Sequence, residues 1–94
     1  MTIAIARQVA LEVLLRVEAD DAYANLLLNQ LSTSKRLDSR NAALAQELAF
    51  GSLRRKNTLE AIINEVSSRP VKELDPGVRA VLQLGVYQLL YTRI

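Results

Sequence analysis

Residues 75–91, DPGVRAVLQLGVYQLLY, constrain the fold of this chain more than any other segment. The segment opens with a suitable N-cap residue, Asp75. Pro76 suits the first position of a helix, because its φ is preset and the N–H that it lacks would have no acceptor within the helix. Only Arg79 and Gln83 are clearly polar in the helix that follows. A helix that is apolar on nearly all sides is normally buried on most of them. The pattern therefore predicts a central helix surrounded by other elements.

Four amphipathic helices are predicted ahead of this segment, because apolar residues recur there at spacings of three and four. They span about residues 3–19, 22–31, 39–56 and 57–68. Asn57 is a suitable cap for the fourth helix, with Glu60 as its capping-box partner. No segment alternates apolar and polar residues over a strand's length, so the chain is predicted to be all-α, a bundle of about five helices.

Three residues carry predictions about packing. Gly51 lies inside the third helix, where glycine costs about 1 kcal/mol relative to alanine, which indicates a close neighbour. Gly85 is predicted to mark a second close crossing, on the central helix. Arg79 is predicted to form a salt bridge with a carboxylate such as Glu47 or Glu73, because charges on buried helices are usually paired.

Composition bounds the chemistry that the chain can perform. Its 94 residues suffice for one domain, and a net charge of +2 with a pI near 9.3 permits an anionic partner without requiring one. The sequence has no cysteine and no histidine, which excludes disulfides, a cysteine nucleophile and a histidine base, and argues against structural zinc. No apolar run approaches the ~18 residues of a membrane span, and no signal-peptide pattern opens the chain. These features predict a cytoplasmic domain that does not enter membranes.

Three blocks of sequence resemble the NusB-like domains. They are Ala6-Arg7, Ala10-Leu11 and Val13-Leu14 with Tyr23 and Asn25-Leu26; Leu48-Ala49-Phe50-Gly51 with Leu53-Arg54-Arg55; and Leu74-Asp75-Pro76, Val78-Arg79-Ala80, Leu84-Gly85 and Tyr87-Gln88-Leu89-Leu90. The runs 10–17 and 74–90 are most similar to the N-terminal domain of ribosomal RNA cytosine-5-methyltransferases of the Sun/Fmu type. The free transcription antitermination factors are the alternative branch. The chain departs from the family pattern at Asn41-Ala42, where many relatives carry Asp-Arg, and at Phe50, where Tyr is common.

The resemblance implies a NusB-like RNA-binding accessory domain over residues 1–94. It also implies that the bundle continues past Ile94, so that this domain is incomplete at its C-terminus. In the methyltransferase branch a separate catalytic domain binds S-adenosylmethionine and attacks cytosine with a cysteine. This chain has no cysteine, and Gly51, Gly77 and Gly85 are isolated glycines without a preceding strand. No catalytic, cofactor or metal residue is therefore predicted here, and S-adenosylmethionine is expected only in the absent catalytic domain.

The candidate RNA-binding residues are Arg7, Tyr23, Lys35, Arg36, Arg40, Arg54, Arg55 and Lys56. The run 54–56 is the densest basic segment, and it suits either phosphate contacts or stabilisation of a helix C-terminus. Arg7 matches the arginine-bearing N-terminal segment that contacts RNA in NusB-type proteins, or it is an ordinary surface charge. The cations at 35, 36 and 40 flank a polar loop that they would also keep soluble.

Aromatic and apolar residues add two more hypotheses. Tyr23 is a surface candidate for stacking on an unpaired base, whereas Tyr87 and Tyr91 suit a core or an interface. The apolar end of the last helix, residues 86–91, is predicted to be incompletely covered. It would then dock a catalytic domain or form a homodimer, and a protein-interaction module without any RNA role remains an alternative.

Overall fold

The computed structural model describes residues 2–20 and 23–92, and they form five α-helices and one short 3-10 helix. The helices are α1 Thr2–Asp20, α2 Ala24–Ser34, α3 Ser39–Arg54, α4 Lys56–Val66 and α5 Pro76–Tyr91, with the 3-10 helix Val71–Glu73 before α5. No strand occurs in these two described ranges, and the predicted all-α bundle of about five helices is confirmed. The predicted start of the second helix at residue 22 lies outside the described residues. None of the described helices combines the length and the apolar character that crossing a bilayer requires.

Aspartates begin two of the helices. Asp75 Oδ2 accepts a hydrogen bond of 3.0 Å from the Gly77 N–H, which confirms the predicted cap of α5. Asp38 Oδ1 accepts one of 2.7 Å from the Asn41 N–H and caps α3 in the same way. The predicted cap at Asn57 is wrong, because α4 already begins at Lys56 and no side chain caps it.

The loop between α2 and α3 has a fixed backbone. The Leu37 N–H donates to the Ser32 carbonyl at 3.0 Å, and the Arg36 N–H donates to the Thr33 carbonyl at 3.1 Å. These two bonds form a Schellman motif, which requires a left-handed residue after the helix. Here that residue is Arg36, with a φ of +54°. In a residue other than glycine, this conformation is sterically unfavourable by about 1–2 kcal/mol.

The core is centred on α1 and α3, which make the most extensive helix–helix contact of the fold. The fully buried residues of this contact come from both helices and are mostly small: Ala6, Val9, Ala10 and Val13 from α1, and Ala45, Leu48 and Ala49 from α3. Small side chains let the axes of two helices approach closely. The residues at this contact have no solvent-exposed surface. The helix pair α1–α3 therefore occupies the centre of the bundle.

The prediction that the last helix is central is wrong. α5 packs on α1, α3 and α4 through one face, on which Ala80, Gln83, Leu84 and Tyr87 are buried. Six large hydrophobic residues of α5 nevertheless remain exposed: Val78, Val81, Leu82, Leu89, Leu90 and Tyr91. The described helices thus cover only part of the apolar surface of α5.

The two glycines behave differently. A Cβ at Gly51 would overlap the ring and hydroxyl of Tyr87, so the predicted close neighbour exists and is a side chain of α5. The predicted crossing at Gly85 is wrong, because nothing lies within 4 Å of a Cβ built there. Gly85 instead borders an open groove.

Arg79 is paired, as predicted, but with a different partner. Its Nη2 lies 2.6 Å from Glu18 Oε1 on α1, and the two side chains are only 20% and 24% exposed. The predicted carboxylate partner is therefore confirmed, but it is Glu18 and neither of the two suggested, Glu47 and Glu73. Glu47 instead accepts a hydrogen bond from the Tyr87 hydroxyl at 2.6 Å.

Candidate nucleic-acid interface

The basic run 54–56 forms the junction between α3 and α4. Arg54 ends α3, Lys56 begins α4, and Arg55 is the single non-helical residue between them, with φ −106° and ψ 20°. The Arg55 N–H donates to the Gly51 carbonyl at 3.2 Å, and the Arg55 carbonyl accepts from the Leu59 N–H at 2.9 Å. All three side chains of the run are exposed. The junction therefore presents three cations on a backbone held from both sides.

Helix electrostatics account for Arg54 but not for Lys56. A cation in the last turn of a helix is stabilised by the helix dipole, as Arg54 is in α3. Lys56 is the first residue of α4, where a cation opposes the dipole by about 0.3–1 kcal/mol. It borders a cavity of about 270 Å³ that Glu18 also lines, yet it forms no ion pair with any carboxylate of the described residues. Stabilising a helix is thus not the reason for this cation.

Two aromatic rings of α5 lie beside the junction. The Arg55 Cζ lies 4.1 Å from the centre of the Tyr91 ring, which is a cation–π contact. The Tyr91 and Tyr87 rings are stacked, with centroids 5.4 Å apart and an interplanar angle of 28°. Neither ring was a predicted site residue, and no local pattern in the sequence signals their meeting with Arg55.

Tyr87 is the buried member of this group. Burial raises the pKa of its hydroxyl most, and the hydrogen bond and negative charge of Glu47 raise it further. The positive charges of Arg54 and Arg55 act in the opposite direction and lower this pKa. The positive charges of the junction thus counteract part of the effect of Glu47 on this pKa.

A second basic group flanks the loop between α2 and α3. Lys35, Arg36 and Arg40 are all exposed. Arg40 and Arg54 lie in the first and last turns of α3, and 14 intervening steps of 1.5 Å place them about 21 Å apart along the helix axis. The structure thus divides the predicted cations between opposite ends of α3 and does not gather them into one patch.

The remaining two predicted residues have different surroundings. The exposed Arg7 donates from its Nε to Gln88 Oε1 at 2.8 Å, which ties α1 to α5. It borders an apolar groove of about 280 Å³ that Leu11 and Gly85 also line. Tyr23 precedes α2 and is 79% exposed, as the stacking hypothesis requires.

Sequence reasoning missed one further polar region. Arg69 and Lys72 border a surface cavity of about 420 Å³ between α4 and the 3-10 helix, together with Asn64, Ser67 and Ser68. The two cations are separated in sequence by proline and valine, so they form no basic run. Their proximity depends on the turn, in which the Val71 N–H donates to Asn64 Oδ1 at 2.7 Å.

The predicted under-covered end of α5 is exposed among the described residues. Leu89 is 84% exposed and Leu90 is 55% exposed, whereas Val86 is partly buried against the core. This surface and the α3–α4 junction lie at the same end of α5, because Tyr91 belongs to both.

Comparison with known proteins identifies relatives over almost the whole chain. The model of the NusB family matches residues 4–94. A protein of Mycobacterium tuberculosis (strain H37Rv), whose name assigns it to the methyltransferases, is 43% identical over 89 residues, which is 95% of this chain and 20% of that protein. The ribosomal RNA small subunit methyltransferase B of Pseudomonas putida is 41% identical over 86 residues, which covers 84% of this chain and 20% of the relative.

A similar relationship holds for the ribosomal RNA small subunit methyltransferase B of Proteus mirabilis. It is 38% identical over 87 residues, which covers 85% of this chain and 21% of that protein. The chain therefore spans about a fifth of the length of the curated relatives that it matches. No solved structure matches the chain at a significant level.

Proposed function

Because this chain belongs to the NusB family, we propose that it is an RNA-binding accessory domain of a ribosomal RNA cytosine-5-methyltransferase. The names of its relatives support the substrate class, since they are methyltransferases of small-subunit ribosomal RNA. The observation that carries RNA binding is Lys56, an exposed cation at a helix start that has neither a dipole nor a carboxylate of the described residues to stabilise it. The same names favour this function over the free antitermination factor.

The proposed mechanism is electrostatic. Arg54 and Lys56 contact backbone phosphates at the α3–α4 junction, and Lys35, Arg36 and Arg40 contact phosphates farther along the strand. Cations that neutralise phosphates release condensed counterions, which holds the RNA without reading its sequence. The chain has no cysteine to attack a base, so a separate catalytic domain would carry out methyl transfer.

Salt dependence tests whether phosphates are contacted. For a fluorescent single-stranded fragment of small-subunit ribosomal RNA, we expect the logarithm of the affinity to fall with the logarithm of salt concentration by about 0.7 per phosphate contacted. Three contacts would then weaken binding on the order of tenfold or more between 50 and 200 mM salt. Affinity that does not change with salt would refute the mechanism.

Charge reversal tests where the phosphates lie. The double variant Arg54→Glu/Lys56→Glu should lose most of this affinity and show a smaller salt slope. The control Arg16→Glu/Lys72→Glu changes the net charge equally, at exposed residues outside both basic groups. Equal losses in the two variants would show that only net charge matters and would refute binding at the junction.

Arg36→Gly tests the second basic group without endangering the fold. Glycine adopts the left-handed conformation freely, so the variant should be about 1 kcal/mol more stable while it lacks one cation. We expect a lower affinity and a higher Tm together, measured by fluorescence anisotropy and thermal unfolding. An affinity equal to that of the unchanged chain would remove Arg36 from the interface.

The exposed end of α5 favours a second role, in which it docks the catalytic domain. Leu89 and Leu90 form an apolar surface, and the curated relatives carry four-fifths of their length outside the matched region. Without its cover, this surface should associate weakly with itself at high concentration. Leu89→Glu should abolish that association in sedimentation, whereas Val66→Glu, at an 80% exposed valine of α4, should not. A chain that stays monomeric at high concentration would argue against docking there.

A further inference from the structure

The α3–α4 junction contains a guanidinium that lies over an aromatic ring. Arg55 lies over the Tyr91 ring at 4.1 Å, and it forms no ion pair or side-chain hydrogen bond with other described residues. Its side chain is exposed. Because one side of this guanidinium lies over a ring and no carboxylate of the described residues pairs with it, its other face and its N–H donors are free.

Contacts that begin in the core lead to this guanidinium. Tyr87 is 3% exposed, lies against Gly51, where no Cβ intervenes, and donates its hydroxyl to Glu47 at 2.6 Å. Tyr91 stacks on Tyr87 with centroids 5.4 Å apart, and Arg55 lies on Tyr91. A continuous set of contacts thus runs from the backbone of α3 through Tyr87 and Tyr91 to the exposed guanidinium of Arg55.

We propose that the free face of the Arg55 guanidinium is a stacking site for an unpaired RNA base. Bases stack on guanidinium planes as they do on aromatic rings, and a positively charged plane attracts their π-electron density. Arg54 and Lys56, on either side, hold the flanking phosphates. A base in a duplex has both faces covered by its neighbours, so the site selects single-stranded RNA. This inference rests on the proposed RNA binding and deepens it, because it names the form of RNA bound.

A change from arginine to lysine separates stacking from charge. Lys keeps the positive charge but lacks the planar group. Arg55→Lys should therefore weaken binding of a short single-stranded ribosomal RNA fragment by about tenfold, the order of one lost base stack, while the salt slope stays the same. Arg16→Lys is the matched control and should leave affinity unchanged, because it makes the same replacement at an exposed arginine outside both basic groups.

A fluorescent base gives a direct readout of stacking. The emission of 2-aminopurine placed in the single strand should fall on binding to the unchanged chain and to Tyr91→Phe, which keeps the ring. It should fall much less with Arg55→Lys and with Tyr91→Leu, which removes the ring beneath the guanidinium. Thermal unfolding of each variant verifies that the fold is retained.

The outcomes distinguish a failure of the stacking site at Arg55 from a failure of the proposed RNA binding. If the unchanged chain binds no RNA, the proposed function itself fails. If it binds RNA with the expected salt dependence but Arg55→Lys behaves like Arg16→Lys, only the stacking site is refuted. Equal affinity for a duplex of the same sequence would also refute the stacking site.

Discussion

The first and last helices of this chain differ in burial in the opposite order from their apolar content. α5 is more apolar on average than α1. Yet α1 lies at the centre of the bundle with Ala6, Val9, Ala10 and Val13 fully buried, whereas α5 exposes Leu89 and other large hydrophobic residues. Apolar content therefore does not decide which helix is central.

The size of the side chains explains the difference. α1 presents Ala6 and Ala10 to α3, which in turn presents Ala45 and Ala49. Where two helices both present small residues, their backbones approach and the surrounding Val and Leu side chains close over the contact. α5 instead carries large apolar residues on nearly every side. Its neighbours cover one face of the helix, and the large residues outside that face stay exposed.

Truncation of a leucine on each helix should show the largest contrast. Leu14→Ala on α1 removes a side chain that is 3% exposed and should lower the free energy of unfolding by about 2–5 kcal/mol. Leu89→Ala on α5 should change it by no more than about 0.5 kcal/mol, because that side chain is already in water. Urea denaturation measures both. Similar losses in the two variants would mean that α5 is covered after all.

The two internal glycines provide a smaller contrast of opposite sign. Gly51→Ala places a Cβ where Tyr87 lies, and the displaced ring should cost more than the helix gains from alanine, for a net loss of about 1–2 kcal/mol. Gly85→Ala meets open space and should stabilise the chain by up to about 1 kcal/mol. Thermal and urea unfolding of the pair report both signs. A destabilised Gly85→Ala would reveal a close neighbour at that position.

These glycines also mark where sequence reasoning succeeded and where it failed. Local signals were sufficient for the five helices and for the Asp75 cap, because caps and periodicity depend on nearby residues. A glycine inside a helix indicates that a neighbour is allowed, not that one is present, so Gly51 and Gly85 gave the same prediction and different outcomes. The partner of Arg79 depended on which helix lies beside α5, which no local pattern contains.

The candidate site was predictable in the same partial way. A basic run is visible in the sequence, so Arg54, Arg55 and Lys56 were found. The start of α4 at Lys56 was missed because Asn57 is the better capping residue, whereas α4 begins at Lys56 with no side-chain cap. The contact between Arg55 and Tyr91 joins residues of different helices, and it appears only once the fold is assembled.

Tyr87 offers the finest test of how α5 is held, because its hydroxyl anchors the helix to Glu47. Tyr87→Phe should lower stability near neutral pH by about 0.5–1 kcal/mol, at the lower end for a hydrogen bond because Glu47 is exposed. Urea denaturation at each pH measures this. Tyr23→Phe, at an exposed tyrosine, should match the unchanged chain and serves as the control.

The same hydroxyl predicts an alkaline effect with a definite sign. The pKa of Tyr87 in the folded chain is raised above its ordinary value of 10.0, by burial first and by Glu47 second. The folded chain therefore retains this proton at a pH where the unfolded chain has lost it. The stability gained is complete below about pH 10 and is lost as pH rises through the raised pKa. Tyr87→Phe should remove that part of the decline. If both chains lose stability equally above pH 10, the Tyr87 hydroxyl is neither buried nor bonded to Glu47 in solution, and this contact does not help to hold α5.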